Sequence, residues 1–135
     1  MAKKTIPLKD LEVYKSAHEI GKLVWKLVEK WNYFPKDTLG KQLVRAADSI
    51  SINIAEGYGR YHFKENKQFC FYSRGSLFET AECIIKANER NLIPEIDYEN
   101  ITKKLMKLRS KLNNYIKSIG TENPTTQTLT NPDKS

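Results

Sequence analysis

The sequence predicts an all-α fold, an antiparallel up-down-up-down four-helix bundle. Three observations lead there. Apolar residues recur three and four positions apart through most of the chain, which lines them up along one side of a helix. The apolar–polar alternation that marks a half-buried strand is almost absent. The periodic stretches form four runs of about 20 to 27 residues joined by short breaks, so successive helices should reverse direction.

The first helix is predicted from about Leu8 to Trp31, where Val13, Ala17, Ile20, Val24, Leu27 and Trp31 repeat at steps of four and three. Residues 1–7 precede the bundle as an N-terminal extension. The Asn32-Tyr33-Phe34-Pro35 stretch stops this helix, and Asp37 is placed as N-cap of the second. The second helix holds Gln42 to Gly57. Leu43, Ala47, Ile50 and Ile54 form its apolar stripe, and Gln42, Ala46, Ser49, Asn53 and Glu56 a neighbouring stripe of small and polar groups. Ile52 and Ala55 leave little of its girth for water, so it is expected to be buried on more than one side. Gly57 and Gly59 read as left-handed residues that end it. Glu56 then opposes the negative end of the helix dipole, and a buried arginine is expected to compensate it.

The third helix is predicted from about Phe63 to Arg90 and carries three stripes. Cys70, Arg74, Leu77, Ala81 and Ile84 make one; Phe69, Ser73, Ser76, Thr80, Cys83 and Ala87 make another; Phe71, Phe78 and Ile85 make the third. One bundle core needs fewer. The third stripe is therefore a candidate subunit interface, the alternative being aromatics that wrap the core edge. Asn91 to Pro94 breaks the pattern, and the fourth helix runs to Ile119 on Tyr98, Ile101, Leu105, Leu108, Leu112, Tyr115 and Ile119. The bundle should thus span 8–119. Residues 120–135 have no apolar periodicity and read as a disordered tail.

The net charge is +7, from 23 basic and 16 acidic residues. A surplus of that size favours polyanionic partners, and it also serves plain solubility. Residues 91–119 hold six basic groups against three acidic ones, and Lys103, Lys107 and Lys111 recur every fourth residue beside Lys104. No apolar run approaches the roughly 20 residues needed to cross a bilayer, and the basic N-terminus has no apolar core of a secretory signal. Cys70 and Cys83 have no paired spacing and read as small buried hydrophobes of a reducing cytoplasm.

No catalytic, metal or cofactor motif is present. His18 and His62 lack the context of a metal site, and Gly57-Tyr58-Gly59 closes a helix where a phosphate loop would open one. An enzyme is not expected. The polar residues in apolar company are Arg45, Ser49, Asn53 and Glu56 on the second helix and Arg74, Ser76 and Glu79 on the third. Buried charges must be paired, so Arg45 or Arg74 is expected to meet Glu56 or Glu79 across the bundle. Such a cluster either fixes helix register or forms a binding or catalytic site, and the structural role is favoured.

Leu39 to Arg60, LGKQLVRAADSISINIAEGYGR, then Phe69 to Thr80, FCFYSRGSLFET, then a leucine-rich basic last helix resemble the proteins encoded in intervening sequences of bacterial 23S rRNA genes. The opening DLEVYKSAHEI, Asp10 to Ile20, is similar to that family's start. The resemblance spans about residues 8 to 119. It implies a cytoplasmic bacterial protein of antiparallel four-helix-bundle fold that assembles as a ring-shaped pentamer. Related members are accessory proteins of diversity-generating retroelements, where a basic pentamer binds a reverse transcriptase and nucleic acid. The family pattern carries onto Gln42, Arg45, Ser49, Asn53, Glu56, Gly57 and Arg60, and onto Gly75, Ser76 and Glu79. Arg74 departs from it, standing where the family has a small or apolar residue.

The functional expectation is a non-enzymatic homo-oligomer with basic outer faces for RNA or DNA. Arg60, Lys64, Lys67, Lys103, Lys104, Lys107 and Lys111 are the expected phosphate contacts, acting through counterion release. Tyr58 and Tyr61 flank Arg60, either to stack on unpaired bases or to pack on the corner between the second and third helices. The competing expectation is a protein-interaction scaffold, such as a reverse-transcriptase accessory protein, with lysines kept for solubility.

Overall fold

The computed structural model describes residues 6–121. Among them every regular element is helical. A 3-10 turn, Leu8–Asp10, leads into α1, Glu12–Val28. Helical turns resume at Tyr33–Pro35, widen into a π-type stretch over Lys36–Gly40 and continue as α2, Lys41–Tyr58. Then come α3, Phe63–Glu89, and α4, Glu95–Ser118. Most of the tail expected to be disordered, from residue 122 on, lies outside the described residues, as do residues 1–5 of the N-terminal extension.

Contacts between helices give their directions. Gly57, Ile50 and Gln42 meet Asn66, Ser73 and Glu79, in reversed order along α2 and α3. Asp48 approaches Gly21 and Gly40 approaches Val28, so α1 and α2 also run oppositely. Phe63 lies against Gly120 and Arg74 bonds Asn113, which sets α4 antiparallel to α3. α4 then returns to pack on α1, and the closest-packed pair is α2 with α3. The up-down-up-down bundle follows from these pairings.

The core is built from the stripes that periodicity marks. Leu43, Ala47, Ile50 and Ile54 of α2 are fully excluded from solvent, and Val13, Ala17, Ile20 and Val24 face them from α1. α4 contributes Ile101, Leu105, Leu108, Leu112 and Tyr115. On α3 two stripes turn inward, through Cys70, Leu77 and Ile84 and through Ser73, Thr80, Cys83 and Ala87. Ser73 reaches the core by donating its hydroxyl to the Ile50 carbonyl at 2.7 Å, so its burial leaves no unsatisfied polar group.

Helix ends correct three expectations. The chain break falls before Tyr33, and Pro35 sits in the first helical turn, where its missing N–H costs nothing. Asp37 is therefore inside the helical run and caps nothing; it holds Lys41 at 3.0 Å one turn on. Gly57 is interior to α2, and Gly59 has φ −80, so neither is left-handed. Gly57 is needed for space: a Cβ there would lie 2.6 Å from Asn66 Oδ1 and 2.9 Å from the Asn66 carbonyl oxygen. Positive φ falls instead on Asn91, which ends α3, and on Gly120 just past α4. Leu92 N–H then bonds the Ala87 carbonyl and Asn91 N–H that of Asn88, a Schellman ending.

Candidate nucleic-acid interface

The expected basic residues divide between two sides of the bundle. Lys104, Lys107 and Lys111 of α4 line a groove of about 310 Å³ against Lys15, Ser16 and Glu19 of α1. Lys15 was absent from the expectation, because only the antiparallel docking of α1 on α4 brings it there. Four lysines face Glu19 in this groove. Lys111 is held at its edge, donating to Ser16 Oγ at 2.9 Å and lying 4.0 Å from Glu12. Lys103 is exposed on the same helix, outside the groove. Lysine side chains left in solvent on one concave strip attract phosphates chiefly by displacing counterions.

Arg60, Lys64 and Lys67 stand apart, at the α2–α3 connection and the first turns of α3. Arg60 is engaged already: its guanidinium lies 4.7 Å from the Phe69 ring centroid and 3.3 Å from Glu56. Lys64 is exposed and Lys67 half-buried. The two tyrosines beside Arg60 separate as well. Tyr58 packs on the core, whereas Tyr61 is 71% exposed and edge-on to His62.

The expected pairing of Arg45 or Arg74 with Glu56 or Glu79 is not formed. Glu56 pairs with Arg60 one turn away, with both side chains near half exposure. This also answers its poor position at the helix end, from the surface and not from a buried arginine. Glu79 accepts from Gln42 Nε2 at 3.3 Å. Arg74 bonds Asn113 Oδ1 at 2.8 Å and lies over the Phe71 ring. Asn53 Nδ2 donates to the Ser49 carbonyl within α2, and Arg45 is exposed. What crosses the α2–α3 seam in the core is the neutral Ser73–Ile50 bond. The physical reason is the tightness of that seam: at Gly57 it has no room even for a methyl group, so charged side chains are turned outward.

A second buried polar group was missed. Asn66 is 2% exposed, lies against Gly57, and accepts from the Cys70 thiol at 3.7 Å. It stands four residues before Cys70 and seven before Ser73, so the helical spacing that marks the inward stripes was the signal that could have found it. Burial pushes the Cys70 thiol up to about 12. Cys83 is raised too, by burial and then by the charge of Glu79. Both read as unreactive thiols.

Phe71, Phe78 and Ile85 are 41%, 51% and 41% exposed in the protomer. Phe78 and Ile85 line a shallow apolar groove of about 140 Å³ between α3 and α4, together with Met106 and Tyr98. Among the described residues no group of three or more His, Cys, Asp or Glu is placed to hold a metal. No helix among them is long and apolar enough to cross a membrane.

Residues 9–114 match the family model of the 23S rRNA-intervening sequence protein. The chain belongs to that family. A crystal structure at 1.70 Å of a protein with unknown function from the S23 ribosomal protein family, from Bacteroides thetaiotaomicron VPI-5482, has the same fold. It matches with a TM-score of 0.70 at 19% identity, over 78% of this chain and 98% of that one. At that identity the likeness concerns fold alone. No curated protein matches the chain.

Proposed function

We propose that this member of the 23S rRNA-intervening sequence family is a non-enzymatic, cytoplasmic homo-oligomer, pentameric as the family resemblance implies, that binds RNA through its basic faces with little sequence preference. The α1–α4 groove carries the proposal. Lys15, Lys104, Lys107 and Lys111 converge there; Glu12 pairs with Lys15 at 3.2 Å and lies 4.0 Å from Lys111, and Glu19 lines the groove, so four lysines stand against two acids. Phosphate contact of this kind positions a strand without reading bases. The exposed Phe71, Phe78 and Ile85 support the oligomer, since a soluble single copy gains by covering such a strip.

The test is a salt titration of RNA binding. Log affinity should fall linearly with log salt, and Lys104→Glu, Lys107→Glu and Lys111→Glu together should lower the slope by about 2. A wild-type protein that binds no RNA at low salt refutes the reading. The second reading, a scaffold for another protein such as a reverse transcriptase, is favoured by the apolar α3–α4 groove around Phe78, Ile85 and Met106. It predicts the reverse pattern: partner binding insensitive to salt and abolished by Phe78→Asp.

A further inference from the structure

We infer that the groove between α1 and the start of α2 seats an unpaired base of single-stranded RNA, with the Trp25 indole as its stacking surface. The inference rests on the RNA binding proposed above and adds to it a site of different chemistry. Trp25 is 58% exposed, a large apolar surface to leave in water. It lines a groove of about 370 Å³ whose floor includes Val28 and Val44. Lys36, Lys41 and Arg45 line the same groove with Glu29, and Asp37 pairs with Lys41 from outside it, so three cations stand against two acids. Lys41 is tethered there by Asp37 at 3.0 Å.

An aromatic and aliphatic floor beside three cations matches both halves of a nucleotide. The flat base gains by stacking on the indole, and its phosphate finds the lysines and arginine. A duplex keeps the flat faces of its bases inside the stack, so this groove discriminates for single strands where the α1–α4 lysines do not. Two more aromatics, Tyr33 and Phe34, are 78% and 74% exposed in the helical turn that leads into the groove's own helix. They do not line the groove itself, and the Tyr33 hydroxyl is engaged by Asp37. A second copy of the chain is the poorer occupant, because Lys36, Lys41 and Glu29, of types depleted at subunit contacts, outnumber Trp25 and Arg45, of types enriched there.

The experiment compares wild type with Trp25→Ala on two probes, an oligouridine and an RNA duplex with the same number of phosphates. Oligouridine should quench the tryptophan emission of wild type, and Trp25→Ala should remove that quenching while weakening oligouridine on the order of tenfold. Duplex affinity should not change. Trp31, 8% exposed, serves as an internal emitter that stays unquenched. If both proteins bind oligouridine equally, the Trp25 site is refuted while RNA binding stands. If wild type binds neither probe, both fall. A change in molecular mass of Trp25→Ala by light scattering marks the groove as a contact between copies and overturns the inference as well.

Discussion

Cys70, Cys83 and Tyr115 share one physical condition: each is buried, and burial disfavours its charged form. Cys70 moves from 9.0 to about 12, Cys83 moves up from 9.0, and Tyr115 moves up from 10.0, by burial first and then by the nearby Cys70. Their unfolded forms lose protons at lower pH than their folded forms do. Above pH 9 the unfolded chain therefore binds fewer protons, and stability falls as pH rises. For Cys70 the loss spans about pH 9 to 12, at up to about 1.4 kcal/mol per pH unit. Denaturant midpoints measured from pH 8 to 11 should show this decline, and Cys70→Ala should flatten part of it. Glu56→Ala carries the opposite lesson. Because its pair with Arg60 is local and solvent-exposed, the change should cost no more than about 0.5 kcal/mol; a large fall in melting temperature would show that the pair is worth more than exposed pairs are. Which charges pair was not legible in the sequence. Spacing says that Glu56 and Arg60 are neighbours on a helix, but the rotation of α2 against α3, which decides whether they look inward, is set by packing at Gly57.

At the level of helices the sequence was far more legible. α3 and α4 begin and end within one residue of the expected positions, since Pro94 and the Asn91 turn are strong punctuation. The start of α2 was not, because a proline reads as a break whether it precedes a helix or occupies its first turn. Gly40 closes the π-type stretch Lys36–Gly40 where space is short: a Cβ there would lie 2.8 Å from Val28 and 3.2 Å from the Pro35 carbonyl. Gly57 gives a sharp test at this scale. Gly57→Ala places a methyl group against the backbone of Asn66, and forcing the seam apart should cost about 1–3 kcal/mol. Equilibrium unfolding measures it; an unchanged stability would mean that α2 and α3 can separate freely, contrary to their packing.

The whole molecule is where sequence patterns ran out soonest. The three lysines of the α1–α4 groove on α4 were legible as a basic strip, but Lys15 joins them only through the closure of the bundle. The same holds for the α1–α2 groove, whose members come from two helices and a wide turn. Assembly belongs to this scale too. Phe78→Asp, on a side chain already half in water, should leave helix content unchanged and reduce the mass seen by light scattering to that of the 15.7 kDa protomer; a mass equal to wild type would show that the strip is not the contact. Between Phe71 and Phe78, one turn from each, stands Gly75, and a Cβ placed on it would meet nothing within 4 Å. That ridge of rings has a notch in it, and a neighbouring copy that fits its own bulk into the notch would be shut out by a single methyl. Gly75→Ala should then firm up the lone chain by about 0.5–1 kcal/mol while loosening the proposed oligomer, so that one substitution moves folding and assembly in opposite directions.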